Sequence, residues 1–347
     1  MRYLIFGGPG IGDTIIELAM AKGIKNQDSS AVVDLLTSNS LGTKNIIEEI
    51  LHSQKWIDNH YSWTLSDKIG VFCTLLLLRK NKYDYGFSCS TEFKASYKPT
   101  IICKLIGCKS VIKEIPNKTG KIDIPVTVNE NINFVEQYEC ILRKVFPDAK
   151  LDLLVLDKDS IQNTNYFPHN GRPRITICLG ANITYYYDSG KKVAKNIKEW
   201  PVERWVELAN KLGENNYNVV LLGGKQELRQ LEPLHEKLHS SVLNLCGKTT
   251  VSESLSVLNE SDAVVGADTG MMHCAAALDK ITVSLFGGTD YRVWRPYSPK
   301  NIVVKKETAC APCYGKEIAL KCQKRICMLN IGVNEVYDII TNIFRRK

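Results

Sequence analysis

Short apolar runs alternate with segments of helical periodicity twice along this chain, and that double alternation constrains its fold more than any other feature. The first round opens with an apolar run at 3–6 and breaks at Gly7-Gly8-Pro9-Gly10-Ile11-Gly12-Asp13. Ile15, Ile16, Ala19, Met20, Gly23 and Ile24 then follow at three- and four-residue spacing, so the predicted order is strand, glycine loop, helix. Residues 31–36, 84–87 and 110–112 read as further strands, with helices over 41–51, 66–79, 92–106 and 131–146. The stretch 157–173 is polar, with Asn163, Asn165, Asn170, Gly171 and Pro173, and reads as a linker. Beyond it the alternation restarts. Strands are predicted at 174–179, 218–222, 242–245, 262–265 and 281–286, and helices at 201–215, 226–239, 252–259 and 270–278. Alternating elements of this kind build parallel sheets covered by helices on both faces. The prediction is an α/β protein of two doubly wound domains facing a cleft, with ligands beyond the carboxyl ends of the strands. The domains are expected over 1–160 and 171–330. A helix over 333–347 is expected to pack back on the amino-terminal domain.

Composition agrees and excludes other classes. Of 347 residues, 44% are hydrophobic and 24% charged, which is ordinary for a soluble globular chain. The longest aliphatic run, at 75–78, ends at Arg79-Lys80 and is far short of the roughly 20 residues a membrane-spanning helix needs. The apolar run at 3–6 is too short for an export signal, so a cytoplasmic protein is expected. Lys and Arg number 45 against 37 Asp and Glu, a net charge of +8 that suits phosphate-bearing ligands or an anionic membrane surface. No basic stripe with interleaved aromatics marks a nucleic-acid interface, and none is expected.

Three segments carry candidate chemistry. The 7–13 loop lets backbone approach a ligand at the mouth of a helix, but it matches neither G-x-G-x-x-G nor a P-loop. Asp13 has two readings, a cap on the first helical turn or a general base. Asp268-Thr269-Gly270-Met271-Met272-His273 lies between a predicted strand and helix, where backbone N–H groups would receive a diphosphate. Asp268 equally suits an N-cap, and His273 a satisfied half-buried histidine. In Lys198-Glu199-Trp200-Pro201, Pro opens a helix at its first position, which puts Lys198 on the preceding loop, where it would neutralise a phosphate or stand as a solvated surface lysine.

Together these segments resemble glycosyltransferase family 9, the ADP-heptose:lipopolysaccharide heptosyltransferases. The matching residues are Gly12-Asp13-Thr14, Lys198-Glu199-Trp200-Pro201 with Trp205, Leu221-Leu222-Gly223-Gly224 and Asn244-Leu245-Cys246-Gly247-Lys248-Thr249. The 268–278 segment and Leu285-Phe286-Gly287-Gly288-Thr289-Asp290, with Trp294 and Pro296, complete the series. The resemblance implies a GT-B fold and inverting transfer without a catalytic metal or cofactor. By the same resemblance, Asp13 takes the acceptor proton and Lys198 meets the leaving diphosphate. Gly12, Thr14, Lys198, Asp268, Thr269, Gly270, Met271 and His273 would contact the donor. The partners the resemblance implies are a nucleotide sugar, ADP-heptose, and a glycolipid or cell-surface glycan. A lipid-anchored acceptor implies peripheral contact with the cytoplasmic face of the inner membrane. Two departures stand out. Gly287-Gly288-Thr289 replaces the usual Gly-Pro-Thr and reads as a more flexible loop. Tyr185-Tyr186-Tyr187-Asp188-Ser189-Gly190-Lys191-Lys192 reads as a longer one, whose tyrosines would stack on a sugar or pack at a domain interface.

The chain has 12 cysteines, most of them in apolar segments where they read as small core residues. Cys310, Cys313, Cys322 and Cys327 cluster as C-x2-C-x8-C-x4-C. That spacing suits a structural tetrathiolate zinc or iron site as well as it suits a reduced loop. Some protein-modifying heptosyltransferases of the family carry an iron there. The alternatives to a glycan-directed enzyme are a protein O-heptosyltransferase and a non-catalytic nucleotide-sugar-binding protein. Entry into the first strand at residue 3 speaks against the former.

Overall fold

The computed structural model describes residues 1–39, 43–64, 66–88, 98–114, 123–180, 184–188 and 191–345. The chain forms two compact units, Met1–Ser160 and Ile161–Lys347.

In the first unit, β1 (Arg2–Gly7) is followed by α1 (Ile11–Gln27), β2 (Val32–Ser38), α2 (Lys44–Leu51) and β3 (Asn59–Trp63). Then come α3 (Lys68–Arg79), β4 (Tyr85–Ser88), α4 (Lys98–Ile106), β5 (Ser110–Glu114), β6 (Ile124–Val126) and α5 (Phe134–Leu142). The strands are all parallel, in the order β3-β2-β1-β4-β5-β6. Strand β1 lies at the sheet's centre with Tyr3, Leu4, Ile5 and Phe6 buried, as a strand covered on both faces requires.

The second unit repeats the plan. Its first elements are β7 (Arg174–Cys178), the antiparallel pair β8 (Thr184–Asp188) and β9 (Lys191–Lys195), and α6 (Val202–Glu214). There follow β10 (Asn218–Leu222), α7 (Lys225–Leu231), β11 (Val242–Asn244), α8 (Val251–Glu260), β12 (Ala263–Ala267) and α9 (Gly270–Ala277). The unit ends with β13 (Ile281–Phe286), α10 (Tyr291–Trp294), β14 (Asn301–Lys305), α11 (Ile326–Leu329) and α12 (Val333–Arg345). The six-stranded sheet is parallel, in the order β11-β10-β7-β12-β13-β14. Both sheets therefore have the Rossmann order 3-2-1-4-5-6 in their own numbering. The direction of winding reverses between β1 and β4 in one sheet and between β7 and β12 in the other, and such switch points are where open α/β sheets bind ligands.

The terminal helix α12 packs on α6, and Val333, Val336 and Ile340 join the core of their own unit. Two expectations change. Pro201 is the N-cap of α6 rather than its first helical residue, with φ −54° and ψ 136°. In place of the expected loop, Thr184–Asp188 and Lys191–Lys195 pair as β8 and β9, and the expected tyrosine stacking falls on side chains outside the described residues.

Candidate functional site

In the first unit the glycine loop leaves the carboxyl end of β1, the switch strand. Two carboxyl groups of α1 fold back beneath it. Asp13 accepts the Gly10 N–H at 3.2 Å, and Glu17 Oε1 accepts the Gly8 N–H at 2.6 Å. The glycines are required because those carboxyls occupy the space a side chain would need. A Cβ on Gly7 would lie 2.4 Å from the Glu17 carboxyl, and one on Gly8 or Gly10 would lie 2.8 or 2.6 Å from the Asp13 carboxyl. Asp13 is half-buried and accepts at the helix start, as its cap reading expects. Thr14 is placed differently from the expectation. It is fully buried and its hydroxyl donates to the Gly10 carbonyl at 3.1 Å, which supports the loop rather than facing a ligand. Gly12, half-buried, lies in the first turn of α1.

Glu17 carries no motif signal, yet it is the most perturbed carboxyl in this region. Burial, then the neighbouring charge of Asp13, push its pKa well above the ordinary 4.5, while the Gly8 N–H pulls the other way. A carboxyl that holds its proton in the folded chain but loses it in the unfolded one makes stability fall as pH rises above 4.5. Glu17→Gln keeps an oxygen for Gly8 and removes that titration. The variant should gain stability relative to the parent as pH rises from 4.5, read from denaturant midpoints across pH. A constant difference would mean Glu17 does not hold its proton. Gly7→Ala, by contrast, should cost about 1–3 kcal/mol at every pH, because the buried Glu17 carboxyl has no room to retreat.

The second unit gathers its candidates at the carboxyl end of β12, beside its own switch point. Asp268 follows this strand, and the N-cap of α9 is Thr269, whose side chain makes no capping bond. The first N–H groups of α9 therefore open at half-exposed Thr269, Gly270 and Met271. Asp268 does not cap the helix. Its Oδ2 lies 2.9 Å from Lys198 Nζ, with side-chain exposures of 6% and 13%. Oδ2 has no partner in hydrogen-bond geometry, so the contact is an ion pair rather than an aligned bond. The Lys198 ammonium also lies 5.3 Å from the Tyr314 ring centroid and 6.0 Å from that of Trp294, and those rings meet edge-on at 5.8 Å. A cation is thus held between one carboxylate and two aromatic faces, at the dipole-positive end of a helix.

His273 is buried and hydrogen-bonds the Trp294 backbone. Burial lowers its pKa to about 4, against the pull of Asp268, so the ring is neutral at pH 7 and ties α9 to α10.

The 310–327 segment supports the Lys198 loop. Cys313 and Ala319 form a small core with Ile197, and Arg325 pairs with Glu199. Trp200 Nε1 donates to the Ile331 carbonyl at 3.1 Å. The four cysteines line one pocket with Ile197 and Gly288, so the cluster sits against the Lys198 loop, not apart from it. Among the described residues, however, no group of three or more His, Cys, Asp or Glu side chains is arranged to hold a metal ion. The expected zinc or iron site is therefore unsupported. Burial raises the Cys313 thiol to about 11 and also raises that of Cys327. Gly287-Gly288 is likewise packed rather than open. A Cβ on Gly287 would lie 2.6 Å from Met328 Sδ, and one on Gly288 2.7 Å from Ile197 Cδ1.

Known proteins extend this picture. The sequence model described as "Glycosyltransferase family 9 (heptosyltransferase)" matches residues 77–324. The lipopolysaccharide heptosyltransferase 2 of Escherichia coli (strain K12) is 30% identical over 335 residues, covering 88% of each chain. The solved structure of E. coli ADP-heptose lps heptosyltransferase II matches with a TM-score of 0.74 at 19% identity, over 100% of this chain and 99% of that one. A glycosyltransferase family 9 structure from Veillonella parvula DSM 2008 matches with a TM-score of 0.81 at 14% identity, over 100% and 98%. Those structures share the two-Rossmann, GT-B fold. The family match spans well over half of the sequence, including the Lys198 and Asp268 segments, and the chain belongs to glycosyltransferase family 9, the heptosyltransferases.

Proposed function

We propose that the protein transfers a heptose from ADP-heptose to a lipopolysaccharide core acceptor, with inversion at the anomeric carbon. The observation that carries this reading is Lys198, paired only 2.9 Å from Asp268 beside the uncapped start of α9. A diphosphate is the ligand class that such an arrangement suits. The names of the relatives support the sugar and the acceptor.

In this reading the acceptor hydroxyl gives its proton to the Asp13 carboxylate as its oxygen attacks the anomeric carbon. The bond from that carbon to the diphosphate oxygen breaks through an oxocarbenium-like state, and its electron pair leaves with the diphosphate. Lys198 and the N–H groups of Thr269, Gly270 and Met271 meet the charge that develops there. Asp268 keeps Lys198 in place before the donor arrives. Attack opposite the leaving group gives the inverted product.

The test is a calorimetric screen of the purified protein against ADP-, GDP-, UDP- and dTDP-sugars. ADP-heptose should bind tightest, and the transferred linkage should be inverted by NMR. A clear preference for UDP- or dTDP-sugars would overturn the donor assignment, and a retained anomeric configuration would overturn the mechanism.

A further inference from the structure

We propose that the outward faces of α3 and α4 form a docking surface for an anionic lipid bilayer. Helix α3 is apolar on both sides. Val71 and Leu75 pack inward against the buried Leu78 and its neighbours, as a sheet-covering helix should. Its other side carries Ile69, Phe72, Leu76 and Leu77, all exposed, with Ile69 at 78% and Phe72 at 60%. Ile101 and Leu105 on the adjoining α4 are more than half exposed. A helix hydrophobic all round is normally buried, and contiguous exposed apolar side chains of this size mark an interaction surface.

Charge decides what covers it. Lys68 opens α3 and Arg79 and Lys80 close it, all three exposed, whereas Asp67 is engaged as the cap that accepts the Gly70 N–H at 2.9 Å. Apolar side chains between cations suit an interface where anionic headgroups lie above acyl chains. A second copy of this chain would bring the same cations against one another, which disfavours self-association through this face. Among the described residues no helix is long and apolar enough to cross a membrane, and α3 has 12 residues, so the contact is interfacial. This inference deepens the reading of a lipid-borne acceptor by naming the surface that meets the lipid, and it rests on that reading for its purpose.

The experiment is co-sedimentation of the full chain with phosphatidylcholine vesicles, with and without about one-third phosphatidylglycerol. The parent should bind the anionic vesicles, more weakly as salt is raised. Phe72→Glu with Leu76→Glu should weaken binding about tenfold or more, since it places two charges where apolar contact is needed. Phe72→Leu should bind like the parent. An unchanged melting temperature and unchanged ADP-heptose affinity would show that the double variant is folded. No binding by the parent, or equal binding by the double variant, would overturn the proposal. So would a shift from dimer to monomer in sedimentation without a change in lipid binding. Transfer to a deacylated, water-soluble acceptor reads the proposed activity separately. If that transfer fails while vesicle binding holds, the functional reading falls and the surface stands.

Discussion

Lys198→Met should lower transfer on the order of 10²–10³-fold, and should also destabilise the second unit by about 3 kcal/mol. Both effects come from one ammonium. Lys198 and Asp268 are 13% and 6% exposed, so removing the lysine strands a carboxylate where water hardly reaches it. The aromatic faces of Tyr314 and Trp294, placed for a cation at 5.3 and 6.0 Å, lose their partner at the same time. The two consequences can be separated. Lys198→Met combined with Asp268→Asn removes both charges and should recover most of the lost stability, but none of the lost transfer. Lys198→Arg keeps the charge in a planar, bulkier head that does not fit the same space, and should remain well below the parent in rate. Denaturant midpoints and single-turnover rates on the four proteins give the comparison. Transfer by Lys198→Met within threefold of the parent would remove this residue from the chemistry.

The parts of this arrangement legible in the sequence are those fixed by local chemistry. Apolar runs at the two sheet centres and the glycines between strand and helix located β1, β7, β12 and their loops almost to the residue. Edge strands were harder to read. Asn59–Trp63 is polar and half-exposed, so β3 has no apolar run to mark it, although its backbone pairs along β2. The site was legible as residue types but not as partnerships. Asp268 sits directly before a helix and reads as a cap, and only folding brings Lys198, seventy positions earlier, against it. Glu17 lies one helical turn beyond Asp13 and looks like any polar position, yet its carboxyl fills the space that Gly7 leaves. The signal was the glycines themselves, whose missing side chains mark where another group must go. Tyr314 lies beside Cys313 in a segment whose cysteine spacing carries the stronger signal. Its ring turns instead toward Lys198, which makes the cysteine segment a support for the ion pair.

Asp13→Asn should lower transfer on the order of 10²–10⁴-fold while leaving ADP-heptose affinity unchanged. Asparagine keeps an oxygen for the Gly10 N–H that Asp13 accepts at 3.2 Å, so the loop and the start of α1 should persist. The favourable charge at the helix start is lost, about 0.3–1 kcal/mol. The same change has a second readout beneath the loop. Asp13 is one of the charges that raise the Glu17 pKa, so neutralising it should move that pKa down and weaken the loss of stability above pH 4.5. A residue that only capped the helix would give the stability effect without the loss of rate. A general base gives both, and the acidic limb of the parent's kcat/KM profile should vanish in the variant. Parent-like transfer by Asp13→Asn, with that limb intact, would leave the loop a structural element and send the search for the base elsewhere.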